Sequence, residues 1–389
     1  MNKKSILKYI ITVVLTVILT LSTSFLLLGG DFSRIFEQIA LMRKLTTIDS
    51  KVNRNAVYFD SDKNDVSETL AESYVEMIDD DYAMYLDNET LDIKNDEREG
   101  ISNESIGITI AKTDGEDYPI ICYVNRDAPA EKAGVKQWDI LIEINGVDLK
   151  GKTTAQVAEI IKENEKADIV VERDDEKLSF SIEPDEYIRD SVIWRMINKT
   201  CVIKITRFEE STVTQFDEAM EFANDNNAES IIFDLRNNPG GYVDSCAEIL
   251  DKICPEGDLV RMKFKSGETK VKFKSDKDEI DLKVAVITNG NTASAAEIFA
   301  LNIREFDKGK LIGETTFGKG IAQTTYEIGD GTAIKFTTAT IVDKNGVTYH
   351  KKGLIPDIEV KFTDEQNENY LFLSDDEDTQ LQKALEIIK

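Results

Sequence analysis

The sequence predicts an α/β core, a small β domain inserted before it, and an N-terminal helical segment that follows a membrane-spanning helix. Three observations support this fold class. Residues 9–28 form an uncharged apolar run. Residues 105–184 contain short strand-like runs separated by turns. From residue 192 onwards strand-like and helix-like runs alternate, which is typical of an α/β layer with active groups at the ends of its strands.

The apolar run near the N-terminus predicts a membrane anchor. As a helix, residues 9–28 would be about 30 Å long at ~1.5 Å per residue, which matches the hydrocarbon core of a bilayer. Because Lys3, Lys4 and Lys8 precede the run, we predict a cytoplasmic N-terminus and an extracytoplasmic body. A cleaved signal peptide is the alternative, but it would have a shorter apolar core and a small-residue cleavage site, which residues 22–33 lack.

The helical segment follows the anchor. Ile35, Ile39 and Met42 lie at helical spacing, and residues 66–78 repeat the pattern. We therefore predict helices between residues 32 and 91, interrupted by an aspartate-rich turn at residues 79–81. The charged residues 92–99 are interpreted as a solvated connector.

The β domain and the core follow in order. In the β domain, a helix is predicted at residues 154–162, with Val157, Ile160 and Ile161 on one face. Its strands are predicted at residues 106–110, 120–124, 140–144, 169–172 and 178–182. In the core, strands are predicted at residues 202–205 and 229–235 and helices at residues 214–224 and 243–253.

Composition excludes one class of partner. The 389 residues carry a formal net charge of −27, and the phosphates of nucleic acid would repel such a chain. The four cysteines, Cys122, Cys201, Cys246 and Cys254, do not have the spacing of a zinc site. We interpret them as buried small apolar residues, with a bridge between Cys246 and Cys254 as the alternative. No metal or other cofactor is implied.

The residues around Ser294 predict nucleophilic catalysis. An apolar run, residues 284–287, leads through a polar turn into the helix-forming residues 293–302, so Ser294 lies where a strand turns into a helix. Unpaired backbone N–H groups and the positive end of the helix dipole surround a hydroxyl at such a position. A serine nucleophile needs a base. Nothing marks the one histidine, His350, for that role, and Lys319 is the better candidate.

Lys319 must lose its proton to act as a base. A free lysine has a pKa of about 10.4, whereas a general base near neutrality needs about 7–8. We expect Phe317 and Ile321 to supply the apolar setting that lowers the pKa. On an extended strand Lys319, Ile321 and Gln323 would share one face, so Gln323 is predicted to hold the lysine amine by a hydrogen bond.

A glycine-rich loop supplies candidate oxyanion donors. Residues 234–241, Asp-Leu-Arg-Asn-Asn-Pro-Gly-Gly, follow a predicted strand, and glycine pairs let backbone N–H groups approach a ligand closely. One N–H from Gly241 or Gly240 and one from Ala295 would form an oxyanion hole. Residues 313–320 are one residue short of a nucleotide-binding P-loop, because Gly320 replaces the required Ser or Thr and strands follow instead of a helix. We therefore reject a nucleotide site.

The β domain resembles a PDZ domain. The resemblance rests on its strand pattern, on Ala-Pro-Ala-Glu-Lys-Ala-Gly at residues 128–134 and on Asp139, although Trp138 replaces a glycine of the family. It implies that a peptide adds as a strand and that backbone N–H groups capture its terminal carboxylate. The matching positions are Ser105, Ile106, Gly107 and Ile108.

Several motifs in order resemble the carboxyl-terminal processing peptidases, also called tail-specific proteases, of the serine-lysine dyad class. Besides the Gly-Gly loop, they are Asp-Tyr-Ala-Met-Tyr-Leu at residues 81–86, Thr-Ala-Ser-Ala-Ala-Glu at 292–297, Phe-Gly-Lys-Gly-Ile-Ala-Gln at 317–323 and Gly-Leu-Ile-Pro-Asp at 353–357. The resemblance implies a crotonase/ClpP-like core, with Ser294 as the nucleophile, Lys319 as the base and Gln323 as its orienting partner. Glu297 also lies at a family position.

The prediction is a serine endopeptidase that recognises the free C-terminus of extracytoplasmic proteins or peptides through its PDZ domain and cleaves through an acyl-enzyme. A non-catalytic, membrane-anchored PDZ scaffold is the alternative. We also predict a bacterial cell membrane protein anchored by one helix, and the resemblance implies that its helical segment, residues 32–91, dimerises. The predicted parts are residues 1–30 for the cytoplasmic tail and anchor, 31–100 for the helical region, 101–184 for the PDZ domain and 185–389 for the protease core.

Overall fold

The computed structural model describes residues 12–16, 32–56, 66–113, 115–162, 166–276 and 279–389. The chain divides into two compact units, Met1–Tyr74 and Val75–Lys389. The second unit contains all the strands of the described residues and all the candidate site residues.

The first unit is helical in its described parts. Residues 12–16 are helical, helix α1 is Phe32–Asn55, and helix α2, Val66–Glu76, continues to the start of the second unit. The predicted membrane span, residues 9–28, lies outside the described residues except for residues 12–16, so it stays a prediction. Within the described ranges, no helix has both the length and the apolar character needed to cross a bilayer.

A short strand and a helix open the second unit. Strand β1 is Met84–Leu86, and helix α3 is Asn88–Glu99. The interpretation of residues 92–99 as a solvated connector is therefore wrong. The Asp87 side chain accepts the N–H of Thr90 at 2.8 Å, and Gly100 ends the helix in the left-handed conformation at φ 86°. These two caps satisfy groups that a charged helix of this length would otherwise leave to water.

The β domain contains ten elements. They are β2 (Ile101–Ser105), β3 (Ile108–Ala111), β4 (Ile120–Val124), α4 (Pro129–Ala133), β5 (Ile140–Ile144), β6 (Val147–Asp148), α5 (Thr154–Lys162), β7 (Ala167–Arg173), β8 (Glu176–Ile182) and β9 (Asp185–Ile188). The antiparallel sheet has the order β3-β4-β5-β7-β8, with β6 on β5, and β2 pairs with β9 in a separate ribbon. Strand β3 starts two residues later than predicted, because Gly107 turns the chain at φ 83°.

Among the described residues, the first sheet of the core and its helices comprise six strands and five α-helices in chain order: β10 (Val192–Ile197), β11 (Thr200–Ile205), α6 (Glu210–Asp225), β12 (Ser230–Asp234), α7 (Val243–Ile253), β15 (Lys283–Thr288), α8 (Ala295–Glu305), β16 (Gly309–Gly313), β19 (Ile358–Glu359), the short helix α9 (Asp364–Glu368) and α10 (Thr379–Ile387). The six strands form one sheet of order β10-β11-β12-β15-β16-β19, parallel except between β10 and β11. Predicted strands and helices in this region are confirmed, with shifts at their ends.

Both faces of this sheet are covered, which explains its nearly continuous apolar strands. Alternate residues such as Ile231 and Phe233 pack in one cluster with apolar residues of α6, α7 and α8. The intervening Ile232 packs with Leu381 and Ala384 of α10 on the other face. The four cysteines are buried and free, so their interpretation as small apolar residues is confirmed and the bridge is absent.

A second sheet contains the strand that follows the loop with Lys319, the candidate base. It contains β13 (Gly257–Phe264), β14 (Thr269–Ser275), β17 (Ile321–Glu327) and β18 (Ala333–Val342), together with β1. Strand β18 pairs with β17 and also with β1 and β13. The loop that contains Lys319 runs from β16 of the first sheet to β17 of the second, so Lys319 lies at the junction of the two sheets.

Candidate active site

Ser294 lies at the strand-to-helix turn that the sequence predicts. It is the N-cap of α8, in an unusual conformation at φ 56° and ψ −118°. A positive φ is uncommon for a residue other than glycine, and such strain persists only where the surroundings hold it. One of those surroundings is Gly240, where an added Cβ would lie 2.7 Å from Ser294 Cβ and 2.9 Å from the Ala295 nitrogen. The glycine-rich loop therefore lies directly against the serine turn.

Glu297, one turn into α8, joins the serine turn to the lysine loop. Its Oε2 accepts the backbone N–H of Ser294 at 2.9 Å and that of Lys319 at 2.7 Å. Its Oε1 accepts the Gly318 N–H at 2.8 Å and the Thr316 hydroxyl. The side chain is fully buried. Burial raises the pKa of this carboxyl, while the hydrogen bonds act in the opposite direction. Sequence reasoning noted Glu297 without finding this role.

Two backbone N–H groups beside Ser294 can stabilise an oxyanion. Neither the Gly241 nor the Ala295 N–H donates to another residue in the part of the chain that the structure describes. The prediction of Gly240 as an alternative donor is wrong, because the Gly240 N–H donates to Asn238 Oδ1 at 2.8 Å. Gly240 instead permits close packing, and its carbonyl accepts the Phe208 N–H at 2.9 Å. The Tyr242 N–H donates to the Phe208 carbonyl at 2.7 Å, which fixes the loop on both sides of Gly241.

Lys319 is half-buried in the loop before β17. Its Nζ lies 4.2 Å from the ring centroid of Tyr82 and forms no hydrogen bond with Ser294 Oγ. Burial lowers the pKa of Lys319 below the ordinary 10.5, and the positive charge of Lys335 lowers the pKa further, while the Asp80 carboxylate acts in the opposite direction. The environment thus favours a lysine that can lose its proton, but the dyad is not closed in this structure.

Two expectations about the surroundings of Lys319 are wrong. No hydrogen bond joins Gln323 to the lysine amine in this structure, and Gln323 Nε2 instead donates to Thr337 Oγ1 at 3.4 Å. Lys319 precedes the strand, and the pairing of β17 with β18 shifts register between Ala322 and Gln323, so the simple alternation of side chains fails. Phe317 is 58% exposed and does not enclose the lysine. The Tyr82 ring contacts the lysine amine instead.

The contribution of the aspartate-rich turn was missed by sequence reasoning. Asp80 accepts the Thr337 N–H at 2.7 Å and the Thr337 hydroxyl at 3.1 Å, and it also accepts the Tyr82 N–H at 3.1 Å. Thr337 is 257 positions away in sequence, so no local pattern shows this contact. The run of three aspartates before Tyr82 was the available signal, but it predicts only a turn.

The candidate carboxylate loop of the β domain leads into an edge strand. Ser105 ends β2, and its hydroxyl accepts the Gly107 N–H at 3.3 Å. Ile106 is buried, and its carbonyl accepts the Ala130 N–H at 2.9 Å. Ile108 begins β3, whose outer edge has no paired strand among the described residues. This edge has the geometry for addition of a peptide strand, although the Gly107 N–H is already used.

Trp138, which departs from the PDZ pattern, takes the glycine-like conformation at φ 74°. Its side chain is 52% exposed, and its ring centroid lies 6.2 Å from that of Phe372. The next residue, Asp139, is buried and accepts two hydrogen bonds from Arg173, at 2.6 and 2.7 Å. The Arg173–Asp139 ion pair stabilises this turn, although the positive φ of Trp138 is unfavourable for a residue other than glycine.

Comparisons with known proteins find family matches in two parts of the chain. Residues 199–360 match the model of peptidase family S41, and residues 120–173 match the PDZ domain. The chain is 28% identical over 316 residues to a protein of Staphylococcus aureus strain N315 named "Probable CtpA-like serine protease", covering 80% of this chain. A protein of the same name from Staphylococcus epidermidis is 27% identical over 366 residues, covering 92% of this chain and 73% of the relative.

A solved structure supports the fold. An S41 protease candidate from Bacteroides fragilis superposes with a TM-score of 0.55 at 17% identity, covering 86% of this chain and 92% of that chain. The chain spans 63% of the length of the Staphylococcus aureus relative. Together these matches confirm the resemblance that the motifs predict.

Proposed function

We propose that this chain, which carries a peptidase family S41 domain and a PDZ domain, is a serine endopeptidase for proteins or peptides with a free C-terminus. The PDZ domain takes the terminal carboxylate, and the preceding segment reaches Ser294. One observation carries the proposal. The Glu297 carboxylate binds the backbone N–H groups of both Ser294 and Lys319, at 2.9 and 2.7 Å, so the nucleophile and the base are held on one buried group.

The reaction proceeds in two steps. Ser294 Oγ attacks the scissile carbonyl while its proton passes to Lys319 Nζ, and the N–H groups of Gly241 and Ala295 stabilise the oxyanion. The amine product leaves with a proton, which produces an acyl-enzyme. Water then attacks the ester with Lys319 again as the base, and Ser294 recovers its proton. Because Lys319 lies over Tyr82 in this structure, its side chain must turn toward Ser294 before the first step.

The membrane anchor and the dimer belong to the same proposal. The uncharged residues 9–28 and the lysines before them support a single-pass anchor with a cytoplasmic N-terminus and an extracytoplasmic body in a bacterial cell membrane. Ile39 and Met42 of α1, which are 57% and 59% exposed, support pairing of this helix with a second copy. We retain the boundaries at residues 101–184 for the PDZ domain and 185–389 for the protease core.

A non-catalytic PDZ scaffold is the competing function, and the absence of a Ser294–Lys319 hydrogen bond is the observation in its favour. Incubation of the full chain with an unfolded protein that ends in small apolar residues separates the two. We expect cleavage by the wild type and by Lys352→Ala, an exposed-lysine control, and no cleavage by Ser294→Ala or Lys319→Ala. Cleavage that survives in Lys319→Ala would exclude the dyad.

A second arm tests capture of the substrate. Amidation of the C-terminus of the protein substrate removes the negative charge and one acceptor. We therefore expect the KM for this substrate to rise, while the kcat for a short peptide substrate stays constant. Equal cleavage of amidated and free substrates would exclude carboxylate capture by the PDZ domain. A wild type that binds the tail but never cleaves it would support the scaffold.

A further inference from the structure

The amine of Lys319 has an unusual neighbourhood for a general base. Its Nζ lies 4.2 Å from the Tyr82 ring centroid, a distance at which the ring face attracts a cation. Within the described ranges, it forms no hydrogen bond or ion pair. The face of the Tyr82 ring is therefore the main electrostatic contact of the Lys319 amine in this structure.

The turn that presents Tyr82 is held firmly in place. The Asp80 carboxylate accepts the Thr337 N–H at 2.7 Å and the Tyr82 N–H at 3.1 Å, and the Asp80 carbonyl accepts the Ala83 N–H at 2.9 Å. Two residues after Tyr82, β1 pairs with β18, with Met84 opposite Lys335. Because β18 also pairs with β17, the same strand positions the aromatic ring and the strand that follows Lys319.

The charges around the amine come from three elements. Asp80 attracts the protonated lysine, Lys335 on β18 repels it, and burial disfavours its charge. Glu297 on α8 accepts the backbone N–H of Lys319, so its carboxylate is tied to the main chain of that loop. The attraction from Tyr82 and Asp80 thus opposes the two effects that favour the neutral amine.

We propose that Tyr82 and Asp80 are positioning residues that seat Lys319 as a cation on the Tyr82 ring, and that the amine leaves this seat for Ser294 when it loses its proton. One N–H bond of the ammonium breaks, its proton passes to solvent and its electron pair stays on the nitrogen; no other covalent bond changes. A neutral amine has no cation–π attraction to the ring and is free to accept a hydrogen bond from Ser294 Oγ. The proposal rests on the proposed function, because it assigns Lys319 as the base.

The test is a titration of Lys319 that does not depend on turnover. In the full chain, the rate of acylation of the Lys319 amine by a small anhydride, read by mass spectrometry across neutral to alkaline pH, gives the midpoint of its deprotonation. We expect Tyr82→Leu to move this midpoint down by roughly one pH unit, because the substitution removes a ring attraction that stabilises only the protonated amine. Tyr82→Phe keeps the ring face and is expected to keep the midpoint of the wild type.

Asp80 supplies a second, independent variant. Asp80→Asn removes the attracting charge and is expected to move the midpoint down, whereas Asp81→Asn, at an exposed neighbour, is expected to leave it unchanged. If Tyr82→Leu does not fold, Asp80→Asn still decides the question. A midpoint that stays constant or rises in Asp80→Asn and Tyr82→Leu would overturn the seat.

The acid limb of kcat/KM separates this inference from the proposed function. We expect the limb to follow the midpoint of Lys319 in each variant, since only the neutral amine acts as a base. A loss of rate at all pH values with no change of midpoint would show that Tyr82 is only a wall of the site. Cleavage that persists in Lys319→Ala would instead refute the base assignment and leave the titration result intact.

Discussion

Glu297 and Lys319 are joined by a hydrogen bond of 2.7 Å from the Lys319 N–H to Glu297 Oε2, the oxygen that also accepts the Ser294 N–H at 2.9 Å. The two candidate catalytic residues come from different loops, and their side chains do not meet in this structure. Their main chains nevertheless share one buried carboxylate. The relative position of the serine turn and the lysine loop therefore depends on Glu297.

Glu297→Gln is expected to reduce kcat/KM by roughly 100-fold, because a small misplacement of catalytic groups has a cost of this order. The amide places an NH₂ group against N–H donors, so the free energy of unfolding should fall by about 1–3 kcal/mol. Peptidase kinetics and urea unfolding measure the two effects. Glu305→Gln, which removes another largely buried acid of α8, is the control. It should lower the free energy of unfolding without a selective loss of kcat/KM. Equal kcat/KM values for Glu297→Gln and the wild type would contradict this positioning role.

Gly240→Ala should disable the site through a steric effect. A Cβ at this position would lie 2.7 Å from Ser294 Cβ and 2.8 Å from the Ala293 carbonyl oxygen, at a φ of 102° that disfavours any other residue. We expect loss of acyl-enzyme formation by at least about 100-fold and a destabilisation of ~1–3 kcal/mol. Labelling of Ser294 by a fluorophosphonate reports the first effect. Gly290→Ala adds a Cβ in open space and should label like the wild type.

The rate of cleavage should rise with pH, with a midpoint below 10.5, because the neutral form of Lys319 is the base and both burial and Lys335 lower its pKa. Lys335→Gln removes the repelling charge, so the Lys319 pKa and the midpoint of kcat/KM should move up. Lys352→Gln, at an exposed position, serves as the control. A downward shift in Lys335→Gln would show that the sign of this interaction is wrong.

The buried Arg236 ties the start of the glycine-rich loop to the C-terminal helix. Its Nη2 lies 2.6 Å from Asp234 Oδ2 and 2.7 Å from Asp378 Oδ2, and Asp378 also caps α10 by accepting the Leu381 N–H at 2.9 Å. Asp378→Asn should lower the free energy of unfolding by about 2–4 kcal/mol, since it weakens a buried charge pair. Urea unfolding measures this.

A surface ion pair provides the matched comparison for Asp378. Asp375 pairs with Arg195, and their side chains are 44% and 48% exposed. Asp375→Asn should therefore change stability by at most ~1 kcal/mol, because solvent screens such pairs. Equal effects of the two substitutions would mean that the Arg236 pair contributes no more than a surface pair.

Local patterns in the sequence predicted much of this molecule. The alternation of strands and helices after residue 192 predicted the α/β layer, and helix α7 was predicted within its observed limits, Val243–Ile253. The polar turn between an apolar run and a helix predicts that Ser294 lies at a strand-to-helix turn, and Ser294 is the N-cap of α8. These features depend on residues close together in the chain, so periodicity and turn chemistry suffice to predict them.

The surroundings of Lys319 were decided only by the tertiary structure. The sequence suggested Gln323 as the partner of the amine, but the register shift of β17 gives Gln323 to Thr337, and the Tyr82 ring lies by the amine instead. Likewise, the sequence motif suggests the Gly240 N–H as a donor to an oxyanion. In the folded loop this N–H donates to Asn238 Oδ1 instead. Hydrogen-bond partners far apart in sequence follow from strand pairing and packing, which no local pattern encodes.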